Sequence, residues 1–340
     1  MTGTLQLPTT GTVSGLTMAN DTNTALAALA TFIQGGSAPT AASTGLSATA
    51  GVLWHDTANN LLKLRDQADA NWLVIAAVDE SGKMISNGIG AHGQCRLSVT
   101  NTTTLALKPY NGRWIVINGV PYALPSSGIT ATSTSCAING VAGSSLTANT
   151  LYYVYVFNNA GTPTLDFSTT GHVTDSSNGN IGVEIKSGDN TRTLVGMIAM
   201  DASAHFRDDT TFRGTANWFN RASKLLSLPF TQPTTGSNSF VTLANTTMNV
   251  LSWSDESVMV QAGQVVACSA ACAVGFQAIL DGATGIGGWG SLSVPNGQGI
   301  STMFSVPIYV SEGIHTYALQ GATSTGTATF NCDLLIIARI

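Results

Sequence analysis

In several segments of this chain apolar residues recur at every second position, the signature of strands with one buried face. Phe304, Val306, Ile308 and Val310 show it plainly. The run LYYVYVF (151–157) is apolar on both faces and predicts a central strand. Between residues 51 and 78, GVLWHDT, LLKLRDQA and WLVIAAV are separated by the polar turns Ala58-Asn59-Asn60 and Asp69-Ala70-Asn71. This pattern predicts a three-stranded meander, too small to be stable alone. RLSVTNT, TLALKP, RWIVING, TLDFST, NIGVEIKS and TLVGMIAM continue the strand series within residues 87–222, and polar turns such as Gly188-Asp189-Asn190 divide them. SFVTLAN, NVLSW, SVMVQA, VVACSAACAVGF, HTYALQGA and TATFNCDLLIIARI do the same within residues 223–340. The most charged stretch, 207–224, reads as a surface connector between these two blocks.

One segment has a different period. In NDTNTALAALATFIQ (20–34), Leu26, Leu29 and Ile33, with Ala25 and Phe32, recur at three- and four-residue spacing. Asn20 or Asn23 can cap the segment and Gly35-Gly36 ends it, so a short helix is expected. The expected fold class is therefore mainly β. An N-terminal arm and helix (1–50) precede the meander module (51–86), a middle antiparallel β-sandwich (87–222) and a C-terminal jelly-roll-like sandwich (223–340).

Charge changes the picture most. The chain has 13 basic and 18 acidic residues in 340, and Asp21 is the single one of them among the first 55 positions. A protein that faces water everywhere usually carries more. Ser and Thr, 77 together, supply the polarity instead. Surface buried against further copies of the chain fits this composition, and Leu26, Leu29, Phe32 and Ile33 are the residues expected to pack such copies along a helical bundle. Packing on the chain's own body, or docking into another protein, are the alternatives. The net charge of −5 offers no field for nucleic acid or an anionic membrane. No apolar run approaches the roughly 20 residues of a membrane span, and the N-terminus lacks the basic start of a signal peptide.

Chemistry is sparse. The literal Gly-x-Gly-x-x-Gly at 285–290 precedes SLSVPNGQG, which cannot form the helix a dinucleotide site needs, so a surface loop is expected and no cofactor. The five histidines have no metal-spaced partners, and no metal is expected. Asp208-Asp209 and Asp255-Glu256 read as solvated turn residues rather than a catalytic pair, and no enzyme activity is expected. Cys268 and Cys272 would stand about 13 Å apart on an extended strand, too far to bridge. All five cysteines are therefore expected to be reduced and buried, with an inter-chain disulfide as the alternative.

The segment 51–83 resembles a small module of bacteriophage tail-fibre and receptor-binding proteins. The likeness is carried by Gly51, Trp54, Asp56, Thr57, Asn60, Leu62, Lys63, Arg65 and Trp72. The block 151–221 resembles another phage fibre segment. Together they cover about a third of the chain. The resemblance implies a homotrimeric virion fibre whose N-terminal end attaches to a tail, neck or baseplate protein. Its distal end would bind a host cell-surface glycan or protein. Within that reading Trp289 is the aromatic platform for a sugar, with Asp281, Asn296 and Gln298 close by in sequence. A purely structural collar, neck or head-decoration fibre and a capsule-degrading tailspike are the alternatives.

Overall fold

In the computed structural model, which describes residues 34–35, 37–38, 53–66, 68, 71–78, 84–86, 92–177, 179–228 and 231–338, the alternating segments are strands. No helix occurs among the described residues. The expected helix, with Leu26, Leu29, Phe32 and Ile33, lies outside them except at its last position, and Gln34 there belongs to a strand. The chain divides into two units, 1–90 and 91–340.

In the first unit, β1 (Gln34–Gly35), β2 (Leu53–Asp56), β3 (Leu61–Arg65), β4 (Trp72–Val78) and β5 (Met84–Ser86) form one sheet in that order. The meander is β2 to β4, with a short strand added at either side. Its signature residues hold the hairpins. Asp56, 1% exposed, accepts the backbone N–H groups of Ala58 and Asn59 at 3.2 Å and the Lys63 ammonium at 2.6 Å. Burial opposes the charge on Asp56, but the bonds from Lys63 and Asn59 outweigh it and hold the carboxyl below its ordinary range. Asn60 takes the left-handed conformation (φ 54°) that asparagine tolerates in a tight turn. Trp54 meets Trp72 edge to face at 5.2 Å, while Lys63 and Arg65 lie over the two rings. The module's motif thus encodes a fold rather than a reactive site.

The second unit begins with β6 (Cys95–Asn101), β7 (Thr104–Pro109), β8 (Trp114–Ile117), β9 (Val120–Ala123), β10 (Ile129–Thr132), β11 (Cys136–Ile138) and β12 (Val141–Ser144). There follow β13 (Leu151–Asn159), β14 (Thr162–Ser168), β15 (His172–Thr174), β16 (Glu184–Lys186), β17 (Asp189–Ala199), β18 (Phe212–Arg213) and β19 (Thr215–Asn217). An eight-stranded sheet runs β12-β11-β14-β13-β17-β16-β15 with β19 paired to β17; a three-stranded sheet runs β10-β7-β6, and β8 pairs with β9. β13 and β17 are central, as the apolar run at 151–157 predicts. One face of the large sheet packs Val154, Val156 and Val195 against Leu97, Leu107 and Ile115. The other packs Tyr155, Leu194 and Met197 against Phe212, Leu251 and Trp253.

The C-terminal strands are β20 (Lys224–Ser227), β21 (Thr234–Thr235), β22 (Val241–Thr242), β23 (Met248–Ser252), β24 (Ser257–Cys268), β25 (Cys272–Leu280), β26 (Thr284–Val294), β27 (Gly299–Tyr309), β28 (Gly313–Thr323) and β29 (Ala328–Ala338). They build two sheets, β18-β23-β28-β25-β26 with β22 beside β28, and β20-β29-β24-β27 with β21 beside β29. Val258, Val260, Phe276, Leu319, Phe330 and Ile336 form the core between them. Pairing is antiparallel except for β1–β2, β11–β14 and β18–β23.

Three sequence expectations are corrected. Cys268 and Cys272 form a disulfide, with Cα atoms 6.4 Å apart. The estimate for an extended strand fails because the chain turns at 269–271, leaving β24 in one sheet for β25 in the other. The segment 207–224 is not a surface connector. Its residues 212–217 are buried, since β18 joins the C-terminal sandwich and β19 joins the middle one. The glycine-rich stretch 285–290 is not a loop but lies inside β26, paired with β25.

Candidate functional site

β26 and β27 end their respective sheets, one strand per sheet, and a short turn at 295–298 joins them. Both therefore lie at the same side of the sandwich. Each is eleven residues long, and no Asp, Glu, Lys or Arg stands between Asp281 and Glu312. β27 has the burial alternation of a strand with one face in the core. Ile300, Phe304 and Ile308 pack inward, whereas Met303 and Tyr309 are 70% and 79% exposed. Long edges without charges carry unpaired N–H and C=O groups and lack the charged side chains that keep other strands away; Pro307 on β27 and two register shifts of β26 against β25 are the interruptions present. Among the described residues, this is the feature most in need of a partner.

The residues singled out for a sugar site are spread along this edge rather than gathered. Asp281 opens the β25–β26 turn with φ 52°. Its two carboxylate oxygens are engaged by the Thr316 N–H at 2.8 Å and His315 Nδ1 at 2.9 Å. It caps a hairpin, and its carboxylate is already satisfied. Trp289 lies within β26, opposite Phe276. Asn296 and Gln298 occupy the turn at the far end of the strand, separated from Asp281 by the eleven residues of β26, about 36 Å of extended chain at 3.3 Å per residue. Sequence proximity misleads here because an eleven-residue strand carries its two ends far apart.

A second constellation was not visible in the sequence. His172, on β15, bonds Glu184 Oε2 at 2.5 Å and Glu312 Oε2 at 3.2 Å. Tyr153 donates its hydroxyl to the other Glu312 oxygen at 2.5 Å, and Thr174 donates to Glu184. The imidazole packs among Tyr153, Trp218 and Trp253, and Trp218 meets Trp253 edge to face at 5.0 Å. Arg221 covers both indoles and bonds Asp255 at 2.7 Å. The hydrogen bond to Glu312 holds the imidazolium above its ordinary pKa against burial, with Glu184 adding to it. Burial opposes the charge on Glu312, yet bonds from His172 and Tyr153 keep it below the usual carboxylate range. Beneath this cluster Arg213 and Glu256, 0% and 3% exposed, pair at 3.0 Å. Glu256 is thus no solvated turn residue, although its neighbour Asp255 is exposed. His172, Glu184 and Tyr153 belong to the middle sheet, while Glu312 and Trp253 come from the C-terminal sandwich. The arrangement ties the two together. No group of three or more His, Cys, Asp or Glu side chains among the described residues is arranged to hold a metal ion.

No protein-family model matches the chain, and no curated protein sequence does. Solved structures with partial likeness include infectious bursal disease virus Gx strain, at 13% identity over 72% of this chain and 71% of that chain, with a TM-score of 0.29. The insecticidal delta-endotoxin Cry8Ea1 from Bacillus thuringiensis matches at 10% identity over 72% and 51%, with a TM-score of 0.26. The C-terminal CBM6 of LamC, a marine laminarinase from Zobellia galactanivorans, matches at 18% over 33% and 98%, with a TM-score of 0.19. At these TM-scores the matches carry no weight for either fold or function, which rest on the residues themselves.

Proposed function

We propose that this chain is a structural protein of a phage or phage-like virion, a surface fibre assembled from three copies. Its N-terminal residues attach it to a tail, neck or baseplate protein, and its C-terminal sandwich faces the host surface. The observation that carries this reading is the pair of adjacent, charge-free edge strands β26 and β27. A chain with 31 charged residues in 340 leaves such an edge bare only where another copy covers it. The likeness of 51–83 and 151–221 to phage fibre segments supplies the virion setting and the trimer. The role is binding and architecture rather than catalysis.

Light scattering of the purified protein at micromolar concentration tests the assembly. A mass three times that of the 35.0 kDa chain is expected. Met303→Lys with Tyr309→Lys, both at exposed positions, should leave the circular dichroism unchanged and release monomers. A well-folded monomeric parent protein overturns the reading. Antibody labelling of the particle in electron micrographs places the fibre: label at a tail tip supports receptor binding, whereas label at a collar or head assigns a purely structural role. For the receptor contact itself, Trp289→Ala is expected to slow host adsorption with trimers intact, and unchanged adsorption removes Trp289 from the contact.

A further inference from the structure

A cavity of about 450 Å³ opens between β6, β19 and the start of β20, far in sequence from the β26–β27 edge. Its size falls within the roughly 300–1,000 Å³ typical of small-molecule sites. Arg96, Ser98, Asp208, Thr215, Ser223 and Lys224 line it. The frame is rigid. Asn217 mimics a strand edge, accepting the Leu97 N–H at 2.5 Å and donating to the Leu97 carbonyl at 3.2 Å, so that β6 is fixed to β19 through one side chain. Asn220 clamps the same segment through the carbonyls of Gly93 and Cys95.

Charge and hydrogen-bonding capacity define what fits. Lys224 pairs with Asp208 at 2.7 Å. Arg96 stacks beside the Tyr110 ring at 5.5 Å, and no carboxylate among the described residues pairs with it. Two cations against one carboxylate leave the cavity with one surplus positive charge, in a protein of net charge −5. Thr215, 7% exposed, lines the same cavity, and its hydroxyl has no hydrogen-bond partner.

We propose that this cavity binds a monoanionic sugar unit, a saccharide bearing a carboxylate such as a uronic acid. The guanidinium of Arg96 receives the carboxylate, for which its planar fork is suited. Asp208, Ser98 and Ser223 exchange hydrogen bonds with ring hydroxyls. A single surplus charge matches a carboxylate better than a phosphate dianion. The site is independent of the assembly proposed above, because all its residues lie in one chain.

Isothermal titration of the full-length protein at low salt tests it, with sodium glucuronate as probe and glucose and inorganic phosphate as comparisons. Glucuronate is expected to bind about tenfold or more tightly than glucose, the difference one charged hydrogen bond makes. Arg96→Gln should weaken glucuronate by about the same factor. Lys224→Gln, from a different segment, is the second variant should the first not fold, and carries the same expectation. Absence of glucuronate binding, equal affinity for glucose, or variants that bind as the parent does overturns the proposal. Phosphate binding as tight as glucuronate overturns the sugar assignment in favour of a free-anion site.

Discussion

His172 is a single imidazole shared between carboxylates of two sandwiches, and its protonation state is therefore a stability term. Its folded pKa is raised, first by Glu312 and then by Glu184. The contribution is complete below the ordinary histidine value of about 6.5 and disappears as pH rises through the raised folded value. Glu312 works in the opposite sense: its pKa is depressed, so its contribution holds above about 4.3 and fades as pH falls through the lower folded value. His92 adds a third slope. Burial lowers it to about 4, and its Nδ1 accepts the Val116 N–H at 3.1 Å, so the neutral ring is the folded form. Its contribution is lost as pH falls from about 6.5 toward 4. We therefore expect His172→Gln to lower the melting temperature more at pH 6 than at pH 9. Thermal melts at the two pH values check this, and equal losses at both would show that the imidazolium carries no stabilising charge.

At the scale of elements, strand positions were readable where alternation was clean, as in the meander, β27 and β29, and where a continuous apolar run marked a central strand, as in β13 and β17. Other features were hidden for physical reasons. β26 carries Gly285, Gly287, Gly288 and Gly290, which lack the side chains that make alternation visible. Gly287 and Gly288 are needed: a Cβ at Gly287 would stand 2.9 Å from the Phe304 ring, and one at Gly288 would stand 2.1 Å from the Phe276 carbonyl oxygen. Glycine here marks close approach, to a side chain of the facing sheet at Gly287 and to the neighbouring strand at Gly288, not a loop. The Cys268–Cys272 pairing was hidden because extended-strand arithmetic assumes the chain continues straight, whereas Ser269, Ala270 and Ala271 turn it between sheets. Nor could the cavity around Arg96 be read, since its walls come from positions near 96, 215 and 224. The cysteine arrangement gives a direct test. Cys95, Cys136 and Cys332 are buried thiols; burial pushes Cys95 up to about 12 and, with the charge of Asp166, Cys136 up to about 11. Titration with a thiol reagent at pH 8 should find none reactive in the folded protein. Three should react after unfolding in denaturant, and five after reduction. Five reactive thiols without reduction would rule out the disulfide.

For the molecule as a whole, the consequential fact is that residues 91–340 form one unit although they contain two sandwiches. The reason lies in residues 212–217, which contribute β18 to one sandwich and β19 to the other within six positions. Trp253 seals the junction: it is 1% exposed, packs in the core shared with Leu194 and Phe212, and donates its indole N–H to the Asn217 carbonyl at 2.9 Å. The Arg213–Glu256 pair and the His172–Glu312 bond flank it. Coupling of this kind predicts that both sandwiches melt in one calorimetric transition, with calorimetric and van't Hoff enthalpies equal. Trp253→Ala should remove about 3–5 kcal/mol, and Arg213→Met a similar amount by stranding a buried carboxylate. If the junction is the source of the coupling, either change should split the transition in two. A loss in an ordinary core position such as Phe330→Ala should instead lower the C-terminal sandwich and carry the middle one with it. Two transitions in the parent protein, or a single one retained in both junction variants, would place the coupling elsewhere.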